Sequence, residues 1–193
     1  AYLYVLVALD SSYTILVAIV SLLVVFVLNI LGIKKVGGTQ LAIVGVSITS
    51  LVALIFIGFN TEGVVAPSAF LSDGNLGFFS GVAFLYISYA GVTKIAAIAG
   101  EISNPEKNLP LTMVVSLLLI MVVYVCVSMV LVRFVDGDIL STDIRPIYTA
   151  AYEMGGSVAG YIAGVVGVIT LLSMANSGLL ASSRFPFAMA RDG

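Results

Sequence analysis

The residues best placed to do chemistry in this sequence are Tyr86, Ile87, Ser88, Tyr89, Ala90 and Gly91, followed by Thr93 and Lys94. They lie inside an apolar stretch that starts near Phe84 and resumes through Ile95-Ala96-Ala97-Ile98. A glycine in mid-helix costs about 1 kcal/mol relative to alanine, and unwound backbone is tolerated at membrane depth only where it is buried in protein or lines a cavity. A break at Tyr89-Ala90-Gly91 therefore predicts free N–H and C=O groups between two half-helix ends, suited to the polar end of a small zwitterion. That is binding chemistry rather than bond making. The plainer reading of Gly91 is close packing of two helices, and of Tyr86 and Tyr89 packing with their hydroxyls satisfied by water or a neighbour. Lys94 has two readings as well. A lysine within a span is a functional candidate, here for a substrate carboxylate, an ion-like role or a contact toward Glu101. It also lies about two turns before Glu101, close enough for its stem to snorkel out.

The elements that position these residues follow from composition. Of 193 residues, 61% are hydrophobic and 9% charged, and the mean hydropathy is +1.19. Such a chain is not a soluble domain but one of membrane-spanning helices. We expect spans at about 1–9 (partial), 13–31, 41–59, 77–101 (broken near 90–91), 111–134 and 158–190. The fold class is thus all-α and membrane-embedded, with about five full transmembrane helices, in one transmembrane domain over 1–193. The net charge of −2 gives no reason to expect nucleic acid, and the absence of histidine excludes a histidine-ligated metal site. Cys126 is the only cysteine, so no intrachain disulfide forms. No GxSxG elbow, HExxH pair or paired membrane carboxylate is present, which argues against an enzyme.

Charge sets the expected topology. Lys34, Lys35, Lys94, Lys107, Arg184 and Arg191 fall on or toward one side, leaving Arg133 and Arg145 on the other. Lysine and arginine bias marks the first side as cytoplasmic. The loop 102–110 is then cytoplasmic, and 60–76 and 135–157 are extracellular. Arg145 through Gly156 suits a short external helix closed by glycines. Pro110 suits the first turn of the helix that follows the cytoplasmic loop. Ser47, Thr49 and Ser50 can bond back to their helix or reach a neighbour. Gly160, Ala163, Gly164 and Gly167 form a small-residue face for close helix contact. The first residue, Ala1, and the abrupt stop at Gly193 suggest an internal piece of a longer protein.

Gly91, Glu101 ten positions later, Asn104-Pro105 and Pro110 resemble the sixth-helix signature of the amino acid/polyamine/organocation superfamily of permeases. Asn29 through Lys34 is similar to the end of that family's fourth helix, and Arg184 through Gly193 to its eighth-helix exit. The resemblance implies part of a leucine-transporter-type five-plus-five inverted-repeat fold, from the end of the third helix to the eighth. It implies alternating-access transport of an amino acid or related organocation across the cell membrane, coupled to H+ or Na+ or run as exchange, without a further cofactor. It makes Tyr86 through Gly91 and Thr93 the substrate contacts, with Ile87 where some relatives carry a bulky aromatic. Ser173, Asn176 and Ser177 fall where sodium-coupled relatives hold a cation, and Lys94 joins them as a coupling candidate. Glu101, Asn104, Pro105, Lys107, Pro110, Arg184 and Arg191 become cytoplasmic gate or structural residues, with Glu101 pairing to Arg184 or Arg191 when that side closes. Two departures stand out: Thr93 replaces a common acidic residue, and the fifth-helix lysine of many relatives is absent. An inorganic cation or chloride carrier of the same fold, and a non-transporting sensor or scaffold, are the alternatives.

Overall fold

The computed structural model describes residues 2, 13–30, 36–63, 74–89, 91 and 104–192. Among these residues six helices follow in order: α1 (Thr14–Ile30), α2 (Val36–Asn60), α3 (Gly74–Ser88), α4 (Pro105–Phe134), α5 (Gly137–Thr142) and α6 (Pro146–Asp192). No strand occurs among the described residues. Runs rich in Val, Leu and Ile such as TILVAIVSLLVVFVLNI in α1 would be expected to tolerate strand as well as helix. Without water, though, each backbone group needs a partner within its own segment, and the helix supplies one. Gln40–Asn60, Pro105–Phe134 and Pro146–Leu179 are long and apolar enough to cross a membrane, while Ile15–Val27 and Gly77–Tyr86 are shorter apolar helices. Only 11%, 11% and 22% of their most apolar windows are buried within the chain. Most of their apolar surface therefore faces outward, as it does when lipid or further helices take the place of water.

Helix starts differ from the sequence expectation most at α2 and α4, and at α4 the cause is local. α2 begins at Val36 and takes in Gly37 and Gly38, which the sequence suggested would precede the helix. α4 begins at Pro105 and carries Pro110 inside it, rather than starting at Pro110. Asn104 has φ 51, a left-handed conformation that asparagine accepts more readily than most residues. Its carbonyl receives the amides of Lys107 (3.2 Å) and Asn108 (3.0 Å), so the helix is already closed one residue before Pro105. Proline at the first helical position loses nothing by lacking an N–H. Glu106 in the first turn complements the helix dipole.

α5, which the sequence did not announce, is six residues capped at both ends by aspartate. The Asp136 carboxylate accepts the Asp138 amide at 3.0 Å, and the Asp143 amide closes on the Ile139 carbonyl at 2.9 Å. Asp143 then turns the chain into α6 by accepting the Arg145 amide (2.7 Å) and the Thr149 hydroxyl. Within α6 one residue, Gly156, leaves helical geometry with φ 68 and ψ −162. It divides the helix into a short first rod and a long second one, at the glycine pair that the sequence marks as a helix end. No L-residue reaches that conformation cheaply.

The chain forms two compact units: Ala1–Val65 with Cys126–Leu180, and Ala66–Val125 with Ala181–Gly193. The first has a core of Leu54, Val130, Phe134, Val135, Ala150, Ala151 and Ala163. Val130 is fully buried because Gly58 lets α2 approach: a Cβ there would meet its Cγ1 at 2.6 Å. The Arg133 guanidinium donates to the Thr61 carbonyl just past the end of α2 (3.3 Å), where a cation complements the helix dipole. The two rods of α6 pack on each other through Gly160, whose Cβ position lies 3.2 Å from Tyr148 and Tyr152. Those two tyrosines stack at 6.3 Å. In the second unit, α3 and the first part of α4 are joined by an aromatic contact at Tyr89, described below.

Candidate functional site

The α3 helix ends at Ser88, within the stretch that the sequence reads as one interrupted span. The Tyr89 amide donates to the Tyr86 carbonyl at 3.1 Å, a turn bond three residues long instead of the four of an α-helix. Gly91 is exposed, and a Cβ built there would meet nothing within 4 Å among the described residues. Gly91 itself lies in a 3-10 turn, so the tighter winding that begins at Tyr89 continues past the end of α3. The end of α3 is the negative end of a helix dipole, where a cationic group is favoured.

The side chains around the turn differ in surroundings. Tyr86 is 81% exposed. Tyr89, three residues on, is half-buried and packs against Tyr124 of α4, with ring centroids 5.5 Å apart and planes inclined at 57°. Ile87 and Ser88 are the last two helical residues of α3. Ala90, Thr93, Lys94 and Glu101 lie outside the described residues. Asn104 and Pro105 form the start of α4 described above, with exposed Lys107 in its first turn and exposed Pro110 further in. Arg184 and Arg191 are in the last part of α6, and the pairing of Glu101 with either lies outside the described residues.

The polar set on α6 is brought together by a residue that the sequence did not single out. Ser173 is buried and donates to Gln40 Oε1 at 2.7 Å. Gln40 Nε2 donates to the Ser177 hydroxyl at 2.7 Å, and Ser177 donates back to the Ser173 carbonyl at 3.0 Å. One turn away on α6 the hydroxyls of Ser47 and Thr170 share a hydrogen bond at 2.6 Å. Ser47 also reaches the Ile43 carbonyl (2.9 Å), and Thr49 the Gly45 carbonyl (2.8 Å), so the hydroxyls of α2 bond back and across as expected. A cavity of about 180 Å³ adjoins this seam, with Ser47, Ser50, Thr170 and Tyr2 among its lining residues. The signal for the seam was present in the spacing of Ala163, Val166, Thr170, Ser173 and Ser177, alternately three and four residues apart. That is the repeat of one helix face packed along another. Among the described residues no cluster of three or more His, Cys, Asp or Glu could hold a metal ion.

Three membrane-length apolar helices with no strand among the described residues define an integral membrane protein of the all-α class. The chain belongs to the amino acid permease family, whose sequence profile matches residues 2–193. It is 31% identical over 193 residues to the vacuolar cationic amino acid transporter 4 of Arabidopsis thaliana, covering 97% of this chain and 31% of that protein. It is 28% identical to the lysine-specific permease LysP of Lactococcus lactis (91% of this chain, 39% of the relative). The serine/threonine exchanger SteT of Bacillus subtilis is 26% identical (93% and 42%). The chain thus spans between 31% and 42% of the length of these curated relatives. No solved structure matches it significantly.

Proposed function

We propose that the protein carrying this chain moves an amino acid or a related organocation across the cell membrane by alternating access, and that the turn after α3 forms part of the substrate site. It works as a carrier and not as an enzyme. The observation that carries this reading is the end of α3 at Ser88 with a turn bond at Tyr89 and, among the described residues, nothing against the Cβ position of Gly91. A helix that served only as an anchor would continue as α-helix through this depth. Close packing is the plainer explanation of Gly91, and it lacks a neighbour among the described residues. Relatives named as cationic amino acid, lysine-specific and serine/threonine transporters support an amino acid as the substrate.

The substrate contacts in this reading are Tyr86, Ile87, Ser88, Tyr89, Ala90, Gly91 and Thr93. Main-chain carbonyls take the ammonium end, while N–H groups of the second half-helix take the carboxylate. Coupling to H+, or exchange without net coupling, is favoured over Na+. Two of the three α6 residues that could hold Na+, Ser173 and Ser177, already bond to Gln40. The loop 102–110 lies on the cytoplasmic side, with Glu101, Asn104, Lys107 and Arg184 at the inner gate.

The test is uptake of a labelled amino-acid panel by proteoliposomes holding the intact permease, under imposed proton and then sodium gradients. Saturable uptake that Gly91→Leu abolishes is the expected result. No uptake of any amino acid by folded protein would overturn the reading and leave an inorganic-ion carrier or a sensor.

A further inference from the structure

We propose that Tyr124, on α4, is a positioning residue of the substrate site: its ring fixes Tyr89 and, through Tyr89, the backbone turn that opens the site. The proposal rests on the functional reading above, and neither composition nor motif points to Tyr124. Three observations carry it. Tyr89 is the first residue after α3, and its amide makes the turn bond to Tyr86. Its ring packs on Tyr124 at a centroid separation of 5.5 Å and an inclination of 57°, within the range where aromatic pairs attract beyond simple burial. Tyr86, on the same stretch but without such a partner among the described residues, is 81% exposed.

Helix arithmetic puts both rings at mid-membrane. Tyr124 precedes the end of α4 at Phe134 by ten residues, about 15 Å, which is half of the hydrocarbon thickness of about 30 Å. Tyr89 follows the start of the apolar part of α3 at Gly77 by twelve residues, about 18 Å. α4 is an unbroken helix through this depth, so Tyr124 is a fixed reference against which the turn at Tyr89 can be held. A turn left free to sample several geometries would present its carbonyls correctly only part of the time, and apparent affinity falls in proportion to that fraction.

The experiment uses the intact permease in proteoliposomes, with transport kinetics and fluorine NMR of fluorotyrosine incorporated at position 89. Tyr124→Leu should raise KM about 2- to 12-fold at nearly unchanged maximal rate, and Tyr124→Phe, which keeps the ring, should restore it. On a Tyr89→Leu background the same Tyr124→Leu change should add nothing, because the pair acts as a unit. A structural role for Tyr124 alone predicts the opposite: equal losses on both backgrounds, in amount of folded protein as well as in rate. That outcome, or a KM that does not move, overturns the proposal. The fluorine signal of residue 89 should shift in Tyr124→Leu and return toward its original position in Tyr124→Phe. An unshifted signal overturns the proposal whatever the protein transports. A shifted signal in a protein that takes up no amino acid upholds the contact and rejects the transport reading instead.

Discussion

Gly58 is glycine because the side chain of Val130 already occupies the place of a Cβ, 2.6 Å from one of its methyl groups. Valine is stiff at χ1 and Val130 is fully buried, so it cannot yield without moving a helix. Gly58→Ala should lower the stability of the permease in detergent by about 1–3 kcal/mol, read as a fall in its thermal unfolding temperature. An unchanged midpoint would mean that α2 and α4 are further apart than the structure has them. At Gln40 a single amide uses its donor and its acceptor on two hydroxyls of another helix. Removing it strands Ser173, which is 7% exposed and whose hydroxyl bonds only to Gln40 among the described residues.

On the scale of elements, α2 and α6 run antiparallel. Gln40 meets Ser173 and Ser177, Ser47 meets Thr170, and Gly58 approaches Met154. Interhelical hydrogen bonds in membranes average about 0.6 kcal/mol and reach about 1.7. Gln40→Leu should therefore destabilise by an amount in that range, and a double-mutant cycle with Ser173→Ala should show the two changes to be non-additive. Additive losses would mean that Gln40 acts through packing alone. The helices and their membrane class were legible in the sequence, because long apolar runs without charge have few other stable forms. The small-residue face was also legible: Gly160 takes Tyr148 and Tyr152, and Gly167 takes the Tyr2 ring. What was not legible depends on distance in space. Nothing in the sequence near Gln40 announces a partner 133 residues away, and Tyr124 is one more apolar-run residue until α3 is laid beside α4. The start of α4 was misplaced for a local reason, since two prolines each suit a first turn and only the conformation of Asn104 decides between them. For the site, the sequence marked the Tyr89-Ala90-Gly91 run, while the partner of Tyr89 came only from the packed helices.

At the scale of the whole molecule, orientation in the membrane is set by basic residues. Lys107 and Asp138 lie at opposite ends of the α4–α5 segment, on opposite sides of the membrane in the proposed topology. In a Cys126→Ser background, Asp138→Cys should react with an impermeant maleimide added to intact cells. Lys107→Cys should react only after permeabilisation. The reverse pattern would invert the topology and place Glu101 with Arg184 at an outer gate. Outward-facing apolar surface has a related consequence: with so little of each span buried within the chain, the chain isolated in detergent should bind more detergent per residue than a self-contained helical bundle.

The bend in α6 depends on molecular handedness. Reflecting φ 68, ψ −162 at Gly156 gives φ −68, ψ 162, an extended conformation that any L-residue adopts without strain. Gly156 thus occupies a site made for the opposite enantiomer. Gly156 is exposed, and an L-side Cβ would meet nothing within 4 Å, so the obstacle to alanine is stereochemical and not a matter of space. L-alanine should cost about 1–3 kcal/mol, whereas D-alanine introduced by chemical ligation should stabilise by up to about 1 kcal/mol by restricting the unfolded chain. A protein made entirely of L-residues has only one achiral residue with which to make this bend, and α6 uses it there.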